Sequence, residues 1–320
     1  MPIAPLPDEL GERFSVSRAL DAGVSRRRLR AQDLDRPFHG VRVRRPGVSA
    51  PAEPDSGARR RDPREVEHLR RALDYEARMS EHEFFCGVTA ALRWGISIPL
   101  SLIEDRPLDV AVLAPRRLPR SRGVRGHQVL TARTTLVTDP ASGRLVTDPA
   151  TTWAMLGALI SDVRDLVAAA DSVVRDWRVD RPMASVADLE RVIRMGRRVG
   201  IGRLREALPL VRTRSASRPE TRTRLALIDA GLPEPALNFT VTDEGSKLAC
   251  VDLAYPQRRI AVEYEGEHHL LDPVQWSRDI ARYERLAAAG WIVVRVTKTE
   301  LFGHPWTIAS RVRAAAASRR

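Results

Sequence analysis

The strongest constraint on the fold is a regular alternation of helix-like and strand-like segments in residues 215–320. A helix is predicted over SRPETRTRLALIDAG, because Pro219 and Glu220 suit a first helical turn and Gly231 suits a helix end. LNFTVT, KLACVDLAY and IAVEYEG then predict strands, QWSRDIARYERLAAAG a helix, WIVVRVT a strand covered on both faces, and HPWTIASRVRAAAA a last helix. The order α-β-β-β-α-β-α predicts a mixed α/β domain.

Carboxylates interrupt two of these apolar strands. Glu263 and Glu265 are expected on one face of IAVEYEG, because side chains alternate between the faces of a strand. A turn at Gln257 and Arg258 would set Asp252 opposite Glu263, with Cβ atoms about 5 Å apart. Carboxylates that close raise each other's pKa unless a cation lies between them, and carboxylate oxygens suit Mg²⁺ or Mn²⁺. The pattern therefore predicts a divalent-metal site at Asp252 and Glu263.

The same residues carry a family resemblance. Glu220 on the leading helix, Asp252 on the second strand and the triplet Glu263-Tyr264-Glu265 on the third resemble the PD-(D/E)XK nuclease superfamily, in the branch of the very-short-patch-repair endonucleases. The run EYEGEHH, the following QWSRDIARYERL and the strand WIVVRV also fit that branch. The resemblance implies an αβββαβ restriction-endonuclease-like core and Mg²⁺- or Mn²⁺-dependent hydrolysis of DNA phosphodiester bonds.

The resemblance also implies a role for each residue. Asp252 and Glu263 would bind the metal through carboxylate oxygens, and the backbone carbonyl of Tyr264 would be a further ligand. Glu220 would act through a water molecule or help to position the metal. Glu265 or the histidines at the strand end, of which His269 is the main candidate, would orient the attacking water or protonate the leaving oxygen.

One position departs from the family pattern, since many members have lysine where this sequence has Glu265. Lys298, in VTKTE after the last core strand, and His269 are the candidate substitutes. Arg278 and Arg282 lie on one face of the predicted helix that follows, where a basic stripe either contacts phosphates or is an ordinary solvated face. Arg278, Arg282 and Lys298 are therefore the candidate phosphate contacts.

Residues 13–45 predict a small basic DNA-binding module. A short amphipathic helix, the turn DAGVS, a second helix SRRRLRAQ capped by Ser25 and the alternating VRVR of a wing follow one another. The segment resembles the winged helix-turn-helix domain of AbiEi-type antitoxins. That resemblance implies DNA contacts by arginines on the recognition helix and the wing: Arg26, Arg27, Arg28, Arg30, Arg42, Arg44 and Arg45. A basic module that contacts a protein, or binds nothing specific, is the alternative.

The charge favours a polyanionic partner. The formal net charge is +12 and the sequence pI is near 10.9, and most of the excess lies before residue 215. Lys247 and Lys298 are the only lysines. Arginine suits phosphate because its planar guanidinium donates two parallel hydrogen bonds. A GC-rich genome would also favour arginine over lysine, but it would not produce the net excess.

Four regions are predicted along the chain. They are a winged helix-turn-helix DNA-binding domain over 1–46, a linker over 47–63, a mostly helical α+β connecting domain over 64–210, and the nuclease-like domain over 215–320. The overall fold class is mixed α/β. The hexapeptide LVTDPA occurs twice, at 136–141 and at 145–150, and predicts a hairpin or an edge duplication.

Other classes of protein are excluded. Cys86 and Cys250 are the only cysteines, which excludes a disulfide framework and a cysteine zinc site. The apolar runs are too short to span a bilayer, and MPIAPLPDEL lacks a signal pattern, so a cytoplasmic protein without membrane contact is expected. Three hypotheses remain: a metal-dependent DNA endonuclease or nickase, a non-catalytic DNA-binding regulator of antitoxin type, and a module that neutralises a toxin partner.

Overall fold

The computed structural model describes residues 4–45, 61–243, 245–265 and 273–319, without side chains for 273–279. The protein is mixed α/β, with eleven α-helices and three sheets among the described residues. The chain forms two compact units: unit 1 comprises Met1–Leu159 with Arg194–Arg197, and unit 2 comprises Ile160–Ile193 with Arg198–Arg320. None of the helices in the described ranges combines the length and the apolar character needed to cross a membrane.

Unit 1 begins with a small module around a three-stranded antiparallel sheet in the order β1-β3-β2. Its elements are β1 Arg13–Ser15, α1 Val16–Asp21, β2 Leu34–Asp35 and β3 Val41–Arg44. Ser15 caps α1, because its hydroxyl accepts the Arg18 N–H at 3.2 Å, and Gly23 follows the helix with φ +79°. Phe14 and Ala19 are buried in the module core.

The predicted second helix of this module is much shorter than expected. SRRRLRAQ contains only a 3-10 helix at Arg28–Arg30. The chain must turn into β2 at Leu34, which pairs with Arg44, so there is room for one turn only. Arg42 and Arg36 also donate to the Leu29 and Arg30 carbonyls, at 2.7 Å each, and so take acceptors that a longer helix would use.

The rest of unit 1 is a five-stranded mixed sheet in the order β6-β5-β4-β8-β7. Its elements are α2 Pro63–Glu76, β4 Phe84–Phe85, α3 Gly87–Trp94, β5 Leu108–Leu113, β6 Val124–Val129, β7 Leu136–Thr138, β8 Leu145–Thr147 and α4 Pro149–Leu156. The core of this region includes Tyr75, Phe85 and Val110, and it also takes in Phe38 and Val41 of the small module. The predicted DNA-binding domain and the first part of the connecting domain therefore share one core.

Unit 2 packs a helical layer and a four-stranded sheet together. Its elements are α5 Val163–Val174, α6 Val186–Arg194, α7 Ile201–Ala207, α8 Arg218–Asp229, β9 Ala236–Asp243, β10 Ser246–Tyr255, β11 Ile260–Glu265, α9 Pro273–Ala288, β12 Ile292–Thr297, α10 Lys298–Gly303 and α11 Pro305–Ala317. From α8 onward the order is the predicted α-β-β-β-α-β-α, with the short α10 added. The sheet order is β12-β11-β10-β9, with β11 and β12 parallel and the other pairs antiparallel.

The two units differ from the predicted domain boundaries. The connecting domain expected over 64–210 is divided, because α5 and α7 pack in unit 2. Arg218 and Arg222 of α8 both donate to Asp165 of α5, at 2.9 and 2.8 Å, and these ion pairs join α5 to the sheet-forming region. Most of the predicted linker, residues 47–60, lies outside the described residues.

Candidate functional site

Two of the predicted carboxylates are brought together by strand register. β10 and β11 pair antiparallel with Leu253 opposite Val262 and Ala254 opposite Ala261. Continued by one residue, this register places Asp252 opposite Glu263; the connection is Pro256–Arg259 rather than a turn of Gln257 and Arg258 alone. The Tyr264 N–H donates to Asp252 Oδ2 at 3.0 Å, so the backbone of β11 holds this carboxylate at the strand end.

Glu220 approaches the same place from the first turn of α8. It is buried, and three donors fix its carboxylate: the Ala216 N–H at 2.9 Å, the Ser217 hydroxyl at 2.9 Å and Asn238 Nδ2 at 3.1 Å. Burial raises the pKa of Glu220 to about 7, and the charge of Asp252 adds to this effect. We call Glu220, Asp252 and Glu263 the carboxylate site.

Glu263 is 4% exposed and lies next to a cation from α9. The guanidinium of Arg282 donates to Glu263 Oε1 and, at 2.9 Å, to the Cys250 carbonyl oxygen. Burial raises the pKa of Glu263 to about 7 although the charge of Arg282 opposes the shift, and Asp252 raises it further. The sequence predicted Arg282 as a phosphate contact, whereas in the structure it neutralises Glu263.

Glu265 lies on the same side of β11 as Glu263, as strand periodicity predicts. It accepts hydrogen bonds from the Tyr283 hydroxyl of α9, at 2.5 Å, and from Arg295 Nε of β12, at 2.8 Å. The position that holds lysine in many members of the resembled family is therefore a carboxylate tied to two neighbouring elements. Tyr283 and Arg295 were not predicted as site residues, since nothing in their local sequence marks them as partners of Glu265.

Of the other residues predicted for this site, the structure describes the side chain of Lys298 but not those of His269 and Arg278. His269 lies outside the described residues, and Arg278 lies in the part of α9 whose side chains are not described. Lys298 is exposed at the start of α10, immediately after Thr297, which pairs with Glu265 in the parallel ladder. Asn238 was missed, although an asparagine within the predicted strand LNFTVT, here with φ +44°, is an unusual strand residue.

The donor chemistry of the carboxylate site fits a hard divalent cation. All three side chains offer carboxylate oxygens, which are the ligands that hard divalent cations prefer. The raised pKa of Glu220 and of Glu263 means that ionising these carboxylates is unfavourable unless positive charge lies nearby. Among the described residues no three Asp, Glu, His or Cys side chains are grouped closely enough to hold a metal ion. Because the Arg282 guanidinium already binds the Glu263 carboxylate, a cation at Asp252 and Glu263 would require Arg282 to move away.

The seven arginines predicted to bind DNA divide into two groups. Arg28 pairs with Asp33, Arg42 donates to the Leu29 carbonyl, Arg44 donates to the Pro7 carbonyl and Arg45 pairs with Asp35. The other three are exposed: Arg26, Arg27 and Arg30. The first group stabilises the small module, and the exposed group remains available to a ligand.

Comparison with known proteins identifies the family to which the chain belongs. No protein-family model matches the chain, and no solved structure does. Two proteins of Mycobacterium tuberculosis, one from each of two strains and both described as uncharacterized, are 32% identical to the chain over 266 residues, which cover 83% of the chain and 89% of each relative. The chain belongs to the same family as these two mycobacterial proteins.

Proposed function

We propose that this protein is a metal-dependent DNA endonuclease or nickase that hydrolyses phosphodiester bonds at the carboxylate site. The observation that carries the proposal is that Asp252 lies near enough to both Glu220 and Glu263 to act on them electrostatically, and that burial and the charge of Asp252 raise the pKa of each to about 7. Groups placed so that their pKa values are strongly shifted by burial and by one another are typical of reactive sites. The resemblance to very-short-patch-repair endonucleases supports the same reaction.

Asp252 and Glu263 would hold Mg²⁺ or Mn²⁺, and Glu220 would orient a water molecule beside them. The cation would lower the pKa of a bound water and neutralise charge on the phosphate oxygens. A cation at Glu263 would displace Arg282, whose guanidinium would then lie next to the site, where it could bind a phosphate oxygen. Glu265 is held by Tyr283 and Arg295, so its role is to fix β11 against α9 and β12.

The first prediction concerns cleavage. Purified protein incubated with supercoiled plasmid and Mg²⁺ or Mn²⁺ should produce nicked circles, and Asp252→Ala should slow nicking by on the order of 100-fold or more, because metal catalysis supplies several kcal/mol. Asp243→Ala is the matched control, since Asp243 is an exposed acid on the neighbouring strand β9. Absence of nicking with every metal tested, or equal loss in both variants, would rule out this site.

The second prediction concerns pH. The folded-state pKa of Glu220 and of Glu263 lies above the ordinary 4.5, so between about pH 4.5 and 7 the folded protein binds more protons than the unfolded chain. The free energy of unfolding should therefore fall as the pH rises through this window. A cation bound to the ionised carboxylates should offset the loss. Addition of Mg²⁺ should raise Tm by about 3 °C or more at pH 8 and by much less at pH 5.5. Asp252→Ala should remove the shift at pH 8, and Asp243→Ala should keep it.

A non-catalytic DNA-binding regulator of antitoxin type is the second candidate. It is favoured by the ion pair between Arg282 and Glu263, which already neutralises one member of the carboxylate site. In that case DNA binding would persist while no metal supports nicking. The third hypothesis, a module that neutralises a toxin partner, would be supported by co-purification of a bound protein.

A further inference from the structure

A cleft of about 820 Å³ in unit 1 is lined by basic and neutral groups. One wall comes from the small N-terminal module, and the other comes from α2 and the loop before β6. The arginines that line it are Arg26, Arg30, Arg36, Arg42, Arg70, Arg71 and Arg122. No acidic residue is among the lining residues, and we call this feature the arginine cleft.

The inner arginines of the cleft are fixed by carbonyl groups rather than by acids. Arg42 Nε donates to the Leu29 oxygen at 2.7 Å. Arg71 donates to the oxygens of Arg106 and Gly123 at 3.1 and 3.2 Å. A carbonyl holds a guanidinium in place without neutralising its charge, although Glu67 lies within electrostatic reach of Arg71. Burial and then the charge of Arg36 lower the pKa of Arg42, which is the expected effect of cations that face one another.

The outer arginines are placed differently. Arg26, Arg30 and Arg122 are exposed, and they lie on both walls of the cleft. Arg70 is the exception, because Glu67 and Asp74 pair with it. Fixed cations inside and exposed cations at the rim suit a ligand with several negative charges in a row, rather than a single anion. Consecutive phosphates of a nucleic-acid strand have this property.

We propose that the arginine cleft binds the phosphodiester backbone of DNA, with Arg26, Arg30 and Arg122 contacting successive phosphates. The proposal deepens the DNA binding in the proposed function but does not require hydrolysis. It differs from recognition by a helix in the major groove, because the expected recognition helix is only the 3-10 turn Arg28–Arg30. It also extends the DNA-binding surface beyond the small module, to α2 and the loop that contains Arg122. Contacts of this kind position DNA without reading its bases.

The test compares two triple variants of the full chain that lose the same charge. Arg26→Ala, Arg30→Ala and Arg122→Ala together remove the exposed cleft arginines. Arg116→Ala, Arg117→Ala and Arg125→Ala remove three exposed arginines that do not line the cleft. Binding to a labelled duplex of about 20 base pairs is measured by fluorescence anisotropy in EDTA, where metal-dependent cleavage cannot occur, over a range of salt concentrations.

The cleft variant should bind at least about 10-fold more weakly at low salt. Its plot of log affinity against log salt should be less steep, with the magnitude of the slope smaller by about 2 to 3, because each neutralised phosphate contributes about 0.9 to that magnitude. The control variant should bind within about 2-fold of the unmodified protein. Equal weakening in the two variants would mean general charge attraction and would overturn the proposal. Unchanged binding by the cleft variant would overturn it as well.

Competition separates the possible sources of negative charge. Unlabelled DNA should displace the probe far better than inorganic phosphate at the same phosphate concentration. Displacement by inorganic phosphate to the same extent would mean a site for a free anion, and displacement by polyglutamate as efficient as by DNA would mean an acidic polypeptide; either result overturns the proposal. Binding in EDTA and nicking with Mg²⁺ are measured separately on the unmodified protein, so a failure of hydrolysis is distinguishable from a failure of the cleft.

Discussion

Asp109 is a fully buried carboxylate in the apolar strand β5, and its neighbours supply every hydrogen bond that it needs. Its side chain accepts the Val88 N–H at 3.1 Å and Arg106 Nε at 3.0 Å, and it shares a hydrogen bond of 2.9 Å with His127 Nε2. Burial favours the neutral acid, but the hydrogen bond to His127 and the charge of Arg106 outweigh burial, so the pKa of Asp109 lies below its ordinary 3.8. The ionised side chain of Asp109 therefore connects β5 to β6 through His127 and to the start of α3 through Val88.

We predict that Asp109→Asn lowers the free energy of unfolding by about 3 kcal/mol at pH 7, because Arg106 is then left nearly buried without a counter-charge. The contribution of Asp109 is present above the unfolded-state pKa near 3.8 and is lost as the pH falls through the lower folded-state pKa. The variant should therefore lose less stability than the unmodified protein between about pH 5 and 2. Urea unfolding at several pH values measures both effects.

The control for this prediction is Asp105→Asn. Asp105 is exposed and has φ +49°, a conformation that asparagine also adopts easily. This variant should stay within about 0.5 kcal/mol of the unmodified protein. An Asp109→Asn variant that is as stable as the unmodified protein at pH 7 would show that the ion pair of Asp109 with Arg106 does not stabilise the fold.

At the scale of elements, a buried ion pair joins α5 to α8. Asp171 and Arg224 are 1% and 0% exposed, and their charged groups lie 3.3 Å apart. Asp171 also accepts the Arg212 N–H at 2.7 Å and the Thr221 hydroxyl at 2.8 Å. Arg224 donates to the Leu210 oxygen at 2.8 Å. A buried charge is costly unless it is paired, so this network favours the packing of α5 in unit 2.

We predict that Asp171→Ala lowers the free energy of unfolding by about 2 to 4 kcal/mol, because the buried guanidinium of Arg224 then keeps only Glu234, which is partly exposed, as its counter-charge. Asp229→Ala is the matched control, since Asp229 makes an exposed ion pair with Arg164 on the same two helices. Its loss should be below about 1 kcal/mol. Chemical unfolding of both variants checks the difference. The double variant Asp171→Leu with Arg224→Met should recover much of the lost stability, and no recovery would contradict an ionic cause.

The repeated hexapeptide shows how far local sequence determines an element. Both copies of LVTDPA begin with a strand, and β7 and β8 form the predicted antiparallel hairpin, with Val137 opposite Val146. Beyond the strands the copies differ. Asp139 lies in the turn and pairs with Arg93, whereas Asp148 caps α4 by accepting the Thr151 N–H at 2.7 Å. Identical residues have different roles because different elements follow them.

At the scale of the whole molecule, the boundary between the two units is a testable feature. Unit 2 includes α5 to α7, so a fragment that starts at the predicted boundary, residue 215, lacks Asp165 and Asp171. Such a fragment leaves Arg224 without Asp171 and leaves the α8 arginines without Asp165. The structural unit and the resembled nuclease domain are therefore different pieces of the chain.

We predict that a fragment of residues 160–320 unfolds cooperatively on heating, whereas a fragment of residues 215–320 is less stable by at least about 3 kcal/mol or does not fold. Circular dichroism during heating and urea titration compares the two. Equal stability of the two fragments would show that the helices before residue 215 contribute little to unit 2, and would restore the boundary expected from the sequence.

The sequence by itself determined the order of elements from α8 to α11, apart from the short α10, and a register of β10 with β11 that continues to Asp252 opposite Glu263. Both follow from local features: helical and strand periodicity, and the position of a short turn. The tertiary structure decided which groups meet the carboxylates, since Arg282, Tyr283 and Arg295 come from elements that only folding brings to β11. It also decided that the second helix of the N-terminal module is one short turn, that α5 packs against α8, and that arginines from distant segments line one cleft. These features depend on contacts between residues far apart in the chain, and periodicity along the chain carries no information about such contacts.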